Sequence, residues 1–287
     1  MILAALNFKD TNVGHLIYIA MLLYVVAGIA LLIADVRKGK SPAIHKLGQL
    51  SFAAGFVVAL AGLIYRGFEV QHLPMRSMFE VFFTLGVLVF PISIFSKHFL
   101  KVGLQFTDAF LGAVILFPAG FVFSSHTSQL PPALQTPLFL PHVGAYMIGY
   151  VIIAKATICA CMVLVSPKHK PADQKLVDYD IATDRIMRLG LPFMSVGLLL
   201  GAYWAQLAFG DFWQWDPKES WSLATWLMII CYFHLRYITG RKHLRLQAAT
   251  VVLTALFMIL TLLWSQIAPL LKNLFDISLD SYHLYSS

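Results

Sequence analysis

Charged residues are scarce in this chain of 287 residues: they make up only 12%, whereas 59% are hydrophobic. A water-soluble domain carries about a quarter charged residues, and a chain of this length could not bury so much apolar surface in one water-facing core. The composition therefore excludes a soluble globular protein. It predicts that lipid is the solvent for most of the surface.

Cysteine is also scarce, and the motifs of several common catalytic sites are missing. The three cysteines, Cys159, Cys161 and Cys231, lie in apolar segments without the spacing of a thioredoxin-like pair, so we expect small buried hydrophobic residues. There is no His-x-x-x-His zinc helix and no glycine-rich nucleotide loop in the sequence. Neither a zinc enzyme nor an ATP-driven pump is therefore supported.

Long apolar runs are abundant instead. A membrane-spanning helix needs about 20 mostly apolar residues. Eight segments meet this need, at residues 14–35, 46–66, 77–96, 104–123, 142–165, 189–208, 219–238 and 247–271. The predicted fold is all-α, a polytopic membrane protein of about eight transmembrane helices that forms a single integral membrane domain over residues 1–287. The polar loop at 166–188 is a candidate for a short surface helix.

The basic residues orient the predicted helices. Loops on one side hold 15 of the 21 Lys and Arg residues, loops on the other hold 5, and Lys155 lies within the fifth span. The positive-inside rule puts the richer side in the cytoplasm or its equivalent. Both termini, and residues 203–221, are then predicted on the outer (periplasmic or lumenal) side. The net charge of +7 thus has a topological explanation that does not require nucleic acid.

The Trp-rich segment, residues 203–221, stands out by its aromatic density. It holds four of the six tryptophans, Trp204, Trp213, Trp215 and Trp221. Interfacial aromatic belts explain scattered tryptophans, and Asp216-Pro-Lys-Glu is the pattern of a helix start with an N-cap and a capping box. The clustering favours something further, a stacking surface for a flat apolar ligand. Haem fits this description, and so does a quinone.

The histidines on the outer side are candidate partners of this segment. His142 opens the fifth span directly after a proline, and His72, His126 and His283 lie in other outer segments. These four are candidates to reach the Trp-rich segment. Two imidazoles on opposite faces of a porphyrin would hold haem iron in a bis-histidine site.

One further histidine lies at membrane depth. His234 is 18 residues beyond Asp216, or about 27 Å along a helix, near the inner end of the seventh span. Ionisable residues within a membrane tend to be functional or paired. The alternative is that His234 and Arg236 only mark the inner membrane interface.

Three stretches carry a resemblance to a known family. The run WAQLAFGDFWQWDPKESWSLATWLMIICYFHLR at 204–236 resembles the WWD domain of the CcsA family, the haem-handling subunit of system II cytochrome c biogenesis. The runs HLPMRSMFEVFF at 72–83 and PHVGAYMIGY at 141–150 are similar to family segments that precede membrane spans. CcmC and CcmF of system I share a related segment, but the Asp-Pro-Lys-Glu version is closer to CcsA.

The resemblance implies a function. Haem b would be taken from the inner side, held transiently at the outer site by two external histidines, and presented to the Cys-x-x-Cys-His motif of an apocytochrome c for covalent attachment. His142 matches the first external ligand, and His234 matches a transmembrane histidine that holds haem on its way out. No conventional catalytic residue is implied. The implied haem-binding set is His142, His283, His234, Trp204, Trp213, Trp215, Asp216 and Trp221.

The resemblance also implies partners and a location. A CcsB (ResB) membrane subunit would supply a second transmembrane histidine, and thiol reductant proteins are further candidate partners. The chain would be a subunit of a cytochrome c synthase (haem lyase) in a bacterial inner membrane, or in a thylakoid membrane if plastid-encoded. The tail departs from the family pattern, because Asp280 stands where the second external histidine is expected. His283, three residues later, is the candidate replacement.

Two other functions remain open at this stage. One is a haem or small-molecule transporter without attachment activity. The other is a non-enzymatic membrane assembly or regulatory subunit that has kept only the fold.

Overall fold

The computed structural model describes residue 9 and residues 11–37, 41–126, 135–166 and 176–275. Regular secondary structure in these residues is entirely helical, with no strand, so the all-α prediction is confirmed. The described helices are α1 (Asn12–Val36), α2 (Pro42–Val70), α3 (Met78–Phe99), α4 (Gln105–Phe117), α5 (Phe139–Val165), α6 (Tyr179–Phe209), α7 (Pro217–Thr239) and α8 (Leu244–Phe275). A π-helical turn, Pro118–Val122, prolongs α4.

Most of these helices have the properties of membrane spans. Seven within the described residues, all except α7, are long and apolar enough to cross a membrane when α4 is taken with its π-helical turn. Helix α7 has 23 residues, which is long enough, but its two ends are polar. The chain is therefore a polytopic integral membrane protein.

Helix α6 begins earlier than the sequence predicted. The span was expected from residue 189, with 166–188 as a polar loop, whereas α6 already begins at Tyr179. The carboxylate of Asp180, a residue only 4% exposed, explains the difference, because it accepts hydrogen bonds from Arg241 Nε and Nη2, both at 2.8 Å, and from Arg236 Nη2 at 3.4 Å. Paired charges let this polar turn pack inside the protein, so α6 is extended and residues 179–188 form no separate surface helix.

The expectation that all three cysteines are buried is wrong. Cys159 is buried, but Cys161 and Cys231 are exposed on α5 and α7. In a membrane protein the outward-facing positions contact lipid and are as apolar as the core. Apolar neighbours in sequence therefore do not distinguish a lipid-facing cysteine from a buried one.

The chain forms two compact units, one containing α1 to α4 and the other α5 to α8. Tyr24 on α1 is at the centre of the first unit and is fully buried. A Cβ at Gly55 or Gly112 would come within 2.6 Å or 2.7 Å of its ring, so glycine lets α2 and α4 approach it closely. Its hydroxyl donates to Gly86 O at 3.2 Å, which ties α3 to the same group.

A buried ion pair fixes the end of the first unit where α2 ends and α3 begins. The Arg66 guanidinium donates from Nε and Nη2 to Glu80 Oε1, both at 3.2 Å, and each residue is at most 3% exposed. The second oxygen of Glu80 accepts the backbone N–H groups of Arg76 at 3.0 Å and Ser77 at 3.3 Å. The carboxylate therefore both caps α3 and holds the 71–77 loop against α2.

In the second unit, α5 and α6 pack through small residues. A Cβ at Gly197 would lie 3.0 Å from the Tyr146 ring, and a Cβ at Gly149 would lie 2.7 Å from Met194 Sδ. These glycines let the two helix backbones come close together. The first turns of α5 are thereby held directly against the second half of α6.

Candidate functional site

His142 lies in the first turns of α5, in the second unit. Its Nδ1 is 2.9 Å from the backbone oxygen of Gly197 on α6. Because a carbonyl oxygen only accepts, Nδ1 carries the proton, and in the neutral imidazole the lone pair is on Nε2. A hydrogen bond of this kind fixes the tautomer and ring orientation of a histidine that ligates a metal.

The pocket around His142 is shaped to one ring position. A Cβ at Gly201 would lie 2.5 Å from His142 Cε1, so only glycine leaves room for the imidazole there. Trp204, one turn further along α6, stacks on the imidazole at a centroid distance of 6.1 Å and an angle of 11°. Tyr146 meets it edge-on at 5.2 Å. The imidazole is thus held by a hydrogen bond and two aromatic neighbours.

Between α6 and α7 the Trp-rich segment forms a loop with unusual backbone geometry. Gly210, the residue that caps the C-terminus of α6, has a φ of +91°, and Trp215 has a φ of +58°. A left-handed conformation costs a non-glycine residue about 1–3 kcal/mol. Trp215 is nevertheless 71% exposed, and its ring makes an edge contact with Trp213 at 5.9 Å.

The indole nitrogen of Trp213 is the unusual polar atom of this loop. Its Nε1 is buried and has no hydrogen-bond partner among the residues that the structure describes. An indole N–H is a donor only, and a buried donor without an acceptor is rare in folded proteins. The loop therefore contains a buried indole donor for which the described residues provide no acceptor.

The start of α7 fixes the other end of the loop, as predicted. Lys218 N–H donates to Asp216 Oδ1 at 2.8 Å, and the capping box between Asp216 and Glu219 is confirmed. Sequence reasoning missed one contact: Glu219 Oε2 also accepts the backbone N–H of Gln214 at 2.9 Å. Asp216 is 4% exposed, so its carboxylate lies inside the turn that it caps.

The four tryptophans of the segment have different neighbours. Trp204 contacts His142 and meets Phe209 edge-on at 5.3 Å, whereas Trp213 contacts Trp215. Trp221 packs toward α8, with centroid distances of 5.6 Å to Phe257 and 6.3 Å to Trp264. Trp221 is therefore close to the other three tryptophans in sequence, but its ring packs toward α8.

His234 lies on α7, away from the neighbours of His142. Its Nδ1 is 2.9 Å from Ile230 O in the preceding turn, and the side chain is exposed. Two residues later, Arg236 turns inward to Gln247 Oε1 at 2.8 Å and to Asp180. Arg236 is thus hydrogen-bonded within the unit, whereas His234 faces out of it. The two residues therefore do not form an equivalent pair at the membrane interface.

The other candidate histidines are distributed elsewhere. His283, with Asp280, lies outside the described residues. His72 and His126 belong to the first unit, where His126 O accepts a bond from Arg66 Nη2 at 3.3 Å. Of the outer histidines that sequence reasoning proposed for the Trp-rich segment, the structure brings His142 against it, through Trp204.

These features define a class: a polytopic α-helical membrane protein with an oriented histidine beside the Trp-rich segment. Residues 18–269 match the model of the family described as Cytochrome C assembly protein. The chain belongs to this family. The predicted resemblance to CcsA is confirmed by curated relatives that carry that name.

Three relatives named "Cytochrome c biogenesis protein CcsA" illustrate the similarity. The protein of Chlamydomonas reinhardtii is 31% identical over 62% of this chain and 54% of its own length. Those of Trieres chinensis and Nicotiana tomentosiformis are each 25% identical, over 69% and 78% of this chain and 76% and 82% of their own lengths. The chain thus spans about half of the Chlamydomonas relative and three quarters or more of the other two.

A solved structure shares the fold. The protein titled "Cytochrome c Heme Lyase CcmF" superposes with a TM-score of 0.67 at 15% identity, covering 90% of this chain and 48% of that one. At this identity the likeness concerns the fold alone.

Proposed function

We propose that this chain is a CcsA-like subunit that delivers haem b at the membrane and presents it to an apocytochrome c for covalent attachment at Cys-x-x-Cys-His. The observation that carries the proposal is the geometry of His142. Its ring is held between Gly197 O and Trp204, in the tautomer that has the Nε2 lone pair required of an iron ligand. In this proposal haem is the cargo rather than a resident cofactor.

The residues around His142 fit the chemistry of haem. Haem combines a flat apolar ring, an iron that accepts axial imidazoles, and two anionic propionates. Trp215 offers an exposed aromatic face, and His142 offers an imidazole whose ring orientation is fixed. A stacking face and an imidazole are two of the groups that such a ligand needs.

His283 is proposed as the second external ligand and His234 as the transmembrane ligand. The exposed position of His234 supports this role, because a histidine that points out of its own unit is accessible to a second subunit. We propose that a CcsB (ResB) subunit supplies the opposing histidine there. Residues Trp204, Asp216 and Trp221 would then shape the outer site without touching iron.

The chemical step needs positioning rather than a side-chain nucleophile. Each reduced thiol of the apocytochrome adds across a haem vinyl group: a C–S bond forms, the thiol proton ends on the neighbouring vinyl carbon, and no electrons are exchanged. Holding a vinyl beside a thiol makes the addition effectively intramolecular. The chain would act in this way as part of a cytochrome c synthase, in a bacterial inner membrane or a thylakoid membrane.

The haem spectrum of the purified chain, alone and with a CcsB-type partner, tests this function. We expect a bis-histidine spectrum that His142→Ala abolishes or shifts, while His45→Ala, an exposed change at the start of α2, leaves it intact. His283→Ala and His234→Ala report the other two proposed ligands. An unchanged spectrum in His142→Ala would remove that residue from the site.

Holocytochrome c formation separates this function from its alternatives. In a strain that lacks its own assembly system, the chain with its partner should yield covalent holocytochrome. Haem export without covalent product would identify a transporter. Stable partner binding without any bound haem would identify an assembly or regulatory subunit.

A further inference from the structure

Lys218, in the first turn of α7, is a cation to which the proposed function gives no role. Its side chain is half-buried. Its ammonium makes no hydrogen bond or ion pair with the residues that the structure describes, although the Asp216 carboxylate acts on it electrostatically. Taking a charge out of water without a partner costs free energy. The ammonium is therefore available to an anion from outside the described residues.

The two carboxylates nearest to Lys218 in sequence are engaged by the backbone. Asp216 Oδ1 accepts the backbone N–H of Lys218 at 2.8 Å. Glu219 Oε2 accepts the N–H groups of Gln214 at 2.9 Å and Asp216 at 3.2 Å. These bonds hold both acids in the turn at the start of α7, where the helix end itself carries a partial positive charge. The acids therefore shape the turn and do not hold the ammonium.

Helices α5 and α7 begin at the same end of the second unit. The start of α5 lies beside the second half of α6, where His142 contacts Trp204. Helix α7 begins shortly after α6 ends. It then passes back along α6, because Trp226 Nε1 donates to Ser195 Oγ at 2.9 Å. Both α5 and α7 are therefore antiparallel to α6 and parallel to each other.

A side-chain hydrogen bond joins these two parallel helices near their first turns and fixes their register. It links Tyr146 on α5 to Ser222 on α7. His142 lies four residues before Tyr146, and Lys218 lies four residues before Ser222. Residues four apart share a helix face and are separated by about 6 Å along the axis. His142 and Lys218 therefore lie at the same level, one turn further out, on the faces that the Tyr146–Ser222 bond joins.

We propose that the Lys218 ammonium binds a propionate of the haem whose iron His142 ligates. This inference rests on the proposed function of the outer site. The propionates of haem are at the edge of the ring, so their partner belongs beside the iron ligand, on a neighbouring helix. An ammonium donates a charge-assisted hydrogen bond to a carboxylate, and partial burial strengthens it relative to a fully exposed pair. Lys218 would thus select haem with free propionates over a neutral porphyrin.

Equilibrium binding of haem and of haem dimethyl ester to the full chain, with its CcsB-type partner in lipid nanodiscs, tests the inference. The two probes share iron and ring, and only haem carries anionic propionates. Lys218→Met removes the charge and keeps a long side chain. We expect it to weaken haem binding about five- to tenfold and to leave the affinity for the ester and its bis-histidine spectrum unchanged. Comparing each probe between variants cancels the different partition of the two probes into lipid.

Two further variants assign the effect to the charge at this position. Lys218→Arg keeps a cation and should retain most of the haem affinity. Lys242→Met removes an exposed lysine just beyond the other end of α7 and should bind both probes as wild type does. An unchanged haem affinity in Lys218→Met, or an equal loss for haem and ester, would overturn the inference and leave the proposed function standing. Failure of the wild-type complex to bind either probe would overturn both.

Discussion

Replacing Gly201 with alanine will displace His142 from its observed position. The added Cβ would lie 2.5 Å from His142 Cε1 and 3.0 Å from Nδ1. Non-bonded carbons rest about 3.5–4.0 Å apart, so the imidazole must withdraw by about 1 Å. The hydrogen bond from Nδ1 to Gly197 O, now 2.9 Å, would then exceed the range of a hydrogen bond, and the ring would lose the contact that fixes its tautomer.

The expected loss of stability follows from three terms. Overpacking costs about 1–3 kcal/mol, and the lost hydrogen bond costs about 1 kcal/mol. The replacement also stabilises the helix by about 0.5–1 kcal/mol, because glycine is less favourable than alanine inside a helix. The variant should therefore be less stable than wild type by about 1–3 kcal/mol, seen as a lower melting temperature of the purified chain in detergent.

Gly144→Ala is the matched control. Gly144 lies inside α5, and a Cβ there would meet nothing within 4 Å. The substitution carries the same gain in helix propensity without the clash, so it should be neutral or slightly stabilising. The difference between the two variants isolates the steric effect at His142.

A double-mutant cycle shows whether the effect passes through His142. In a His142→Ala background the space beside Gly201 is empty, so Gly201→Ala should no longer destabilise the protein, which gives a coupling of about 1–3 kcal/mol between the two positions. The haem spectrum should also weaken or shift in Gly201→Ala alone. A steric role of Gly201 toward His142 is refuted if Gly201→Ala is as stable as Gly144→Ala, or if its destabilisation persists in the His142→Ala background.

Three further predictions concern charge and strain. Glu80→Gln leaves the Arg66 guanidinium buried without its main partner and should lower the free energy of unfolding by about 3–5 kcal/mol. Glu69→Gln removes a more exposed partner of the same arginine and should lower it by about 0–1 kcal/mol. Chemical unfolding compares the two variants. Trp215→Gly relieves the left-handed strain and should raise stability by about 1 kcal/mol while lowering haem affinity, and unchanged affinity would exclude the exposed indole from the site. Burial lowers the pKa of Lys9 to about 8, below its value in the unfolded chain. The unfolded state therefore binds more protons than the folded state between about pH 8 and 10.5, and the free energy of unfolding should rise with pH across that window. Melting curves of Lys9→Met should lack this rise.

The sequence was sufficient for the described helices, because all of them except α7 follow from apolar runs long enough to cross a membrane. It failed at the start of α6, where Asp180 is buried only because Arg236 and Arg241, about 60 residues away, reach back to it. Charge pairs between distant residues leave no local signal. The exposed cysteines were missed for a related reason, since hydropathy measures transfer from water and does not separate a neighbouring helix from lipid.

The site was predicted unevenly. His142 and the capping box at Asp216 follow from local patterns: His142 contacts Trp204 near the end of α6, and Asp216 caps the start of α7. Gly197 and Gly201 were missed because a glycine in a membrane helix is ordinarily a packing residue. Gly201 leaves room for the imidazole, whereas Gly197 leaves room for the Tyr146 ring and accepts the imidazole N–H at its backbone oxygen. Their spacing of four residues on α6, which puts both on one helix face, is the signal that could have found them.

Hydrogen bonds on both sides of Trp215 hold this residue in its left-handed conformation. The acidic groups at the start of α7 are used within the turn: Asp216 receives the N–H of Lys218, and Glu219 receives those of Gln214 and Asp216. These bonds fix the loop on both sides of Trp215, which is how a left-handed tryptophan persists in the fold. A strained and largely exposed indole stabilises nothing by burial, and strain of this kind collects at binding sites. In the proposed function, this turn would be a rigid support that holds one aromatic face outward, and Asp216 would act through the support rather than on the ligand.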